Sequence, residues 1–306
     1  MEKLKVLITG GNGLLGSNMV FHASDRYRVV ASSLNNPVSS KAVETVQMDI
    51  TDAAQVDQVV QHVRPDVIFH CAAETRVDYC EKHPDHAHNV NAQGTRNVAR
   101  VAAAVGATIV YISSDSVFGG ERGGYEESDP LNPLNVYSKT KVAGERFVQQ
   151  TCTRCLIVRS NIYGWNMKPK ESLAEWALHC LRREECLSGF CDVIFAPLLV
   201  NDLAEILFDM VEKKLQGLYH VGSSDHISKY EFICSIARIF GLDSNLVSVS
   251  QLEGAHLEAP RPKSTYLNVF AVERDLGRSM PTVDQGLRQF YELEQSGYVA
   301  ALRSLA

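Results

Sequence analysis

A run of strand character ending in Leu7-Ile8-Thr9 passes at once into Gly10-Gly11-Asn12-Gly13-Leu14-Leu15-Gly16 and then into a stretch of helical period. This order of strand, glycine turn and helix constrains the fold more than any other feature of the chain. Gly10 and Gly13 allow a tight turn and let backbone come close to a pyrophosphate, whose charge then sits at the amino end of the helix. Gly16 lets that helix pack near the strand. A kinase-type phosphate loop is excluded, because no Gly-Lys-Ser/Thr follows.

The same alternation continues. Apolar runs of strand length at residues 4–9, 28–32, 45–48, 67–71, 108–113 and 156–160 are separated by helical stretches at 13–23, 53–63, 87–105 and 134–150. Asp52 is placed to cap the second helix, and Pro84 suits the first turn of the third. Val67-Ile68-Phe69 and Ile109-Val110-Tyr111-Ile112 are apolar on both strand faces, as expected when helices cover both sides of a sheet. The expected class is α/β, a Rossmann-type doubly wound parallel sheet that binds NAD(P) over residues 1–164. Beyond Gly164 the rhythm loosens into helical stretches at 172–183, 201–213 and 229–240 and short apolar runs at 193–196 and 218–221. These predict a smaller α/β substrate-binding lobe, mainly residues 165–306, with segments near 197–221 returning to the main sheet. A ligand would lie beyond the carboxyl ends of the strands, where the second lobe closes over it.

The formal net charge of -6 is scattered, with no long basic run to track phosphates, so nucleic acid is not an expected partner. The amino-terminal apolar run is too short for a signal peptide or a membrane span, which leads to the expectation of a cytoplasmic protein without a membrane partner. The 8 cysteines fall mostly in apolar or helical stretches and read as reduced core thiols. Cys152 and Cys155 have the spacing of redox and zinc motifs, but no second pair follows. Cys180, Cys186 and Cys191 lack both the short pairing and the nearby histidines of a zinc site, so no metal is expected. His220 reads as a core or strand-end histidine rather than a ligand.

The chemistry is carried by Asn135-Val136-Tyr137-Ser138-Lys139-Thr140-Lys141. Tyr137 and Lys141 are four apart, hence on one helical face, and an ammonium near a phenol is expected to draw the phenol's pKa down from about 10, making Tyr137 a proton donor and acceptor. Ser113-Ser114 upstream adds a hydroxyl. The second strand ends Val30-Ala31-Ser32-Ser33-Leu34-Asn35 without the acidic residue that would bind ribose hydroxyls, so a 2′-phosphate is tolerated. Ser32, Ser33 and the more distant Lys41 could contribute, and NADPH is preferred with NADH open. Asp49-Ile50 can offer a carboxylate and an apolar face to adenine, and Cys71-Ala72-Ala73 small side chains where backbone passes close to ribose and pyrophosphate.

The glycine turn, Asp49, His70-Cys71-Ala72-Ala73, Val90-Asn91 before Gly94-Thr95, Ser113-Ser114 and the Tyr137/Lys141 pair follow the order of the extended short-chain dehydrogenase/reductase family, which the chain resembles over nearly its whole length. Within that family it resembles the dTDP-4-dehydrorhamnose reductases, on Ile112-Ser113-Ser114-Asp115-Ser116-Val117-Phe118-Gly119-Gly120, Asn132-Pro133-Leu134-Asn135-Val136-Tyr137 and Arg261-Pro262-Lys263-Ser264-Thr265-Tyr266-Leu267-Asn268. The resemblance implies Ser114, Tyr137 and Lys141 as catalytic residues. It implies a cofactor site of Gly10, Gly11, Asn12, Gly13, Leu14, Leu15, Gly16, Ser32, Asp49, Ile50, Cys71, Ala72, Ala73, Asn91, Ser113, Tyr137 and Lys141. Glu74, Val117, Phe118 and Arg261 are the implied substrate contacts, Arg261 as a clamp on the diphosphate of a sugar nucleotide. Two departures stand out: Arg159-Ser160-Asn161-Ile162-Tyr163-Gly164 lacks the tryptophan those reductases carry, with Trp165 nearby, and Ser116 replaces a tyrosine.

The implied activity is NAD(P)H-dependent reduction of a nucleotide-linked 4-keto-6-deoxy sugar, with a homodimer as the assembly to consider. Epimerases and dehydratases of nucleotide sugars share the triad and remain an alternative. A third reading is a non-catalytic regulatory subunit, because the beta subunit of methionine adenosyltransferase resembles the same reductases.

Overall fold

In the computed structural model, which describes residues 3–23, 26–40, 43–168 and 170–306, the six apolar runs of the first half become parallel strands of one sheet. They are β1 (Lys5–Thr9), β2 (Arg28–Ser33), β3 (Glu44–Gln47), β4 (Val67–His70), β5 (Thr108–Ile112) and β6 (Cys155–Arg159). Short pairs follow in the second half: β7 (Ile162–Tyr163) with β10 (Leu198–Leu199), β8 (Leu187–Phe190) with β13 (Val247–Ser250), and β9 (Ile194–Phe195) with β12 (Ile227–Ser228). β11 (Gly217–His220) comes back to lie beside β6, giving a seven-stranded sheet of order β11-β6-β5-β4-β1-β2-β3. The order reverses between β1 and β4, and the carboxyl ends of those two strands open the crevice of a Rossmann fold.

Helices cover both faces, as the doubly apolar strands require. α1 (Leu14–Ala23) follows the glycine turn, and α2 (Ala53–Val63) is capped by Asp52, whose Oδ1 accepts from the Ala54 and Gln55 amides. α3 (Val77–Lys82) and α4 (Pro84–His88) precede α5 (Thr95–Val105) and α6 (Val136–Thr151). α2, α5 and α6 pack one face of the sheet around Val56, Val60, Val98, Val101 and Val148, and α1 packs the other around Met19 and Val20. The single helix expected over 87–105 is interrupted by a π-helical turn at Asn89–Gly94. There the Thr95 hydroxyl donates to the Asn91 carbonyl at 2.6 Å, and Gly94 packs so closely on Ile50 that a Cβ would lie 2.7 Å from its Cδ1. Such turns concentrate at functional sites.

The second half contributes α7 (Leu173–Arg182), α8 (Val200–Glu212), α9 (Lys229–Phe240), α10 (Phe270–Leu276), α11 (Val283–Gln295) and α12 (Tyr298–Arg303). Ser172 with Glu175, Ser228 with Glu231 and Thr282 with Gln285 close capping boxes that start α7, α9 and α11. α8 packs on α1, and the Tyr298 hydroxyl of α12 donates to Asn18 of α1 at 2.6 Å, so the last helix also lies on the first half of the chain. No helix among the described residues is long and apolar enough to cross a membrane.

Candidate active site

The glycine turn is closed by its own backbone: the Gly13 amide donates to the Gly10 carbonyl and the Gly11 amide to the Ser32 carbonyl, both at 2.9 Å. Gly10 has φ +67°, and a Cβ on it would sit 2.8 Å from the Ala72 backbone, so the turns after β1 and β4 touch only because Gly10 has none. A Cβ on Gly16 would collide with the Gly10 carbonyl. Gly11 points the other way and packs on Ala31.

Two cavities meet at this turn and share Asn12, Gly13, Cys71 and Ala73. The inner one, about 370 Å³, is lined by Leu14, Leu15, Gly16, Ser113, Tyr137 and Lys141 together with Thr75, Ser160, Asn166, Lys168 and Lys170. The outer one is lined by Gly10, Ser33, Leu34, Asp49, Ile50, Ala72, Glu74 and His86. The groove therefore brings together most of the cofactor residues expected from the sequence, and three, Gly11, Ser32 and Asn91, lie elsewhere. Ser32 is buried beneath the turn and serves through its carbonyl; Ser33 lines the groove instead, 5% exposed, with a buried Oγ that has no hydrogen-bond partner. Asn91 is a buried brace: its Oδ1 accepts from the Glu74 amide at 2.8 Å, and its Nδ2 donates to the Glu74 carbonyl and the Thr140 hydroxyl, both at 3.0 Å. Lys41 lies outside the described residues. Lys170, which no sequence signal marked, reaches across the groove and donates to Thr75 Oγ1 at 2.7 Å. A glycine cradle that a Cβ would fill, and a buried hydroxyl without a partner, fit a dinucleotide.

Asp49 caps no helix. Its Oδ1 accepts from the amide and hydroxyl of Thr51, which holds the loop after β3 against the outer cavity.

At the inner end, Asn135 caps α6 by accepting from the Ser138 amide at 2.9 Å and so fixes the start of the helix that carries Tyr137 and Lys141. The electrostatics differ from the expectation. Burial pushes the Tyr137 phenol well above its ordinary range, the facing Ser114 hydroxyl only partly opposes this, and Lys141 is not among the groups that lower it. Tyr137 thus holds its proton, the state an acid needs. The Lys141 ammonium lies 4.3 Å above the Tyr111 ring, and burial brings it down to about 8, against the pull of Glu145 and Cys71. Ser114 Oγ lies 3.1 Å from Asp115 Oδ1 and 2.9 Å from Ser116 Oγ.

Among the expected substrate contacts, Val117 and Phe118 are wholly buried. Phe118 stacks at 4.2 Å on Tyr125 in a small core with Val142 and Leu267, because the loop after β5 turns these side chains inward. Glu74 sits on the outer rim, paired at 2.6 Å with Arg76. Arg261 pairs with Asp78 at 3.0 Å, on a segment pinned to the dinucleotide half by Asn135 Nδ2 donating to the Pro260 carbonyl at 2.9 Å. Trp165 provides no surface for a sugar: it is 1% exposed, stacks on Phe290 and donates to its carbonyl.

His220 is buried, as its sequence context suggested, and all 8 cysteines are free. No cluster of metal-ligating side chains occurs among the described residues.

The chain is of the class of NAD(P)-dependent oxidoreductases of the extended short-chain dehydrogenase/reductase type, and a groove that ends at Ser113, Tyr137 and a buried Lys141 fits that chemistry. More narrowly, the chain belongs to the family of the RmlD substrate binding domain, whose model matches residues 4–296. Its fold is similar to that of a dTDP-4-dehydrorhamnose reductase from Bacillus anthracis solved in complex with NADP, with a TM-score of 0.85, 34% identity and coverage of 95% of this chain and 99% of that one. In sequence it is 30% identical to a probable low-salt glycan biosynthesis reductase of Haloferax volcanii, over 92% of this chain and 95% of the relative. It is also 32% identical to the methionine adenosyltransferase 2 subunit beta of Danio rerio, over 88% of this chain and 84% of the relative.

Proposed function

We propose that the protein is a cytoplasmic NADPH-dependent reductase of a nucleotide-linked 4-keto-6-deoxy sugar. The observation that carries this reading is Tyr137, which lines the inner end of the groove beside Lys141, its phenol held protonated by burial and facing the Ser114 hydroxyl. The glycine turn and the amino end of α1 would bind the pyrophosphate, Ser33 the adenosine ribose or its phosphate, and Lys141 the nicotinamide ribose. When bound, the nicotinamide supplies the hydride. The carbonyl carbon would take up that hydride while Tyr137 gives its proton to the carbonyl oxygen, which becomes a hydroxyl on the same carbon, and Ser114 would hydrogen-bond that oxygen. Arg261 would exchange Asp78 for the substrate diphosphate.

The names of the Bacillus anthracis and Haloferax volcanii relatives support a reductase. The test is spectrophotometric NADPH oxidation with a panel of nucleotide-linked 4-keto sugars. Tyr137→Phe should lower kcat by about 100-fold or more while NADPH still binds. Activity that survives Tyr137→Phe removes Tyr137 as the acid, and turnover of nucleotide sugar on retained NAD without net oxidation makes the protein an epimerase or dehydratase. The Danio rerio relative favours one second reading, a regulatory subunit without turnover. Stoichiometric recovery of an enzyme partner, with no NADPH oxidation on any keto sugar, would establish it.

A further inference from the structure

Directly behind the catalytic pair lies a buried ion pair. Glu145 is one turn beyond Lys141 on α6, so Tyr137, Lys141 and Glu145 share a helix face. Glu145 is 2% exposed, and its carboxylate accepts from Arg159 twice, at 2.9 Å from Nε and 2.7 Å from Nη2. Arg159 Nη1 donates to His220 Nε2 at 3.3 Å, which leaves the His220 proton on Nδ1 to donate to the Tyr125 carbonyl at 2.9 Å. On its other side Glu145 Oε1 accepts from Ser113 Oγ at 2.5 Å.

Ser113 lines the inner cavity. A carboxylate only accepts, so the single hydroxyl proton of Ser113 is committed to Glu145, and Ser113 can present only lone pairs to whatever occupies the groove. Lys141 has its own deficit: it is buried, and the Tyr111 ring is its closest aromatic support. The other groups around it are His70 and Cys71 at the end of β4, Tyr111 on β5, and Tyr137 on its own helix. Burial holds His70 neutral, down to about 3, and the Cys71 thiol protonated, up to about 12. It raises both phenols as well. Glu145 is then the group that brings negative charge to Lys141, with Arg159 on its far side.

We infer that Glu145 is a positioning residue with two tasks: it keeps the Lys141 side chain an ammonium, and it turns Ser113 into an acceptor toward the nicotinamide half of the cofactor. The inference rests on the reading of the groove as a cofactor site. It reaches a residue that touches neither cofactor nor substrate.

The experiment is the pH dependence of NADPH binding, followed by NADPH fluorescence, which needs no substrate. In the wild type, affinity should fall as pH rises through about 8, where Lys141 loses its proton. In Glu145→Gln the midpoint of that fall should move to lower pH by about one unit or more, because an opposite charge near the ammonium has been removed. Glu145→Asp should restore the midpoint. Ser113→Ala should weaken binding at every pH and leave the midpoint in place.

If Glu145→Gln does not fold, the neutral pair Glu145→Gln/Arg159→Gln takes its place and is compared with Arg159→Gln, relative to which its midpoint should lie lower by about one unit or more. A folded Glu145→Gln with the wild-type midpoint, or a neutral pair with the midpoint of Arg159→Gln, overturns the inference and leaves Glu145 a structural counter-ion. A shifted midpoint in a protein that reduces no keto sugar sustains the inference and removes the reductase reading. Failure of the wild type to bind NADPH at any pH overturns both.

Discussion

Phe118→Ala separates a substrate contact from a core residue. The ring is wholly buried, lies flat against Tyr125 at 4.2 Å, meets the edge of His220 at 5.6 Å, and has the Arg159 guanidinium 5.2 Å from its centre. Truncation would open a cavity between this small core and the Glu145–Arg159 pair. Losses of this kind cost about 3–5 kcal/mol. Unfolding entropy of about 2.1 cal/mol/K per residue gives roughly 0.64 kcal/mol/K for 306 residues unfolding together, so Tm should fall by about 5–8 °C. Thermal unfolding followed by circular dichroism reads this, and NADPH titration at a temperature where the variant is folded should show near wild-type affinity. A Tm within about 1 °C of wild type, together with a raised KM for the sugar, would refute the placement of Phe118 and return it to the substrate site.

Ser33→Asp places a carboxylate where an unpartnered hydroxyl lines the outer cavity; it should accept from ribose hydroxyls and repel a 2′-phosphate. The ratio of NADPH to NADH affinity should drop at least about tenfold, or about 1.4 kcal/mol, and an unchanged ratio would move the adenosine ribose away from Ser33. Acid should destabilise the protein early, because burial lowers His70 and His220 to about 3 from 6.5. Below about 6.5 the unfolded chain takes up protons that the folded chain refuses, so stability should fall steadily as pH drops from there towards about 3. Urea unfolding across that range should show about half of the two histidines' contribution in His220→Gln, and an identical pH slope in the variant would contradict the neutral, buried state of His220.

Much of the fold can be read in the chain because its physical causes are local. Val67-Ile68-Phe69 is apolar on both faces and becomes a central strand; Asp52 caps where an Asx side chain precedes an apolar period; the glycines stand where backbone meets backbone. The second half of the chain is less legible. Its strands β7, β9, β10 and β12 are two residues long, too short to show a period, and exist only because a distant segment supplies the partner. The π-turn before α5 has the composition of a helix, and only the tie from Thr95 to Asn91 and the closeness of Gly94 to Ile50 reveal it. At the site, Tyr137, Lys141 and the glycine turn could be found by spacing, whereas the burial of Phe118 and Trp165 is a property of tertiary packing that an apolar side chain in a motif does not announce. The direction of the Tyr137 shift is hidden in the sequence for the same reason: spacing supplies the ammonium, but desolvation is set by the whole fold.

The placement of charge explains why the two halves of the chain must be built as one unit. Tyr137 sits in the first turn of α6, whose cap residue Asn135 uses its Oδ1 for the helix and its Nδ2 for the Pro260 carbonyl of the second half. Asp78 on α3 accepts from the Ala259 amide and pairs with Arg261, and Lys82 on the same helix pairs with Glu258 at 2.9 Å. The segment 258–261 is thus tied to the helix that carries Tyr137 and to its neighbour. A substrate diphosphate that drew Arg261 away from Asp78 would loosen the segment at one point while the Asn135 tie kept it aligned with the tyrosine. Recognition of the nucleotide end and placement of the proposed proton donor would then share one mechanical element, so a change at Asp78 would bear on the proposed chemistry as well as on the shape of the site.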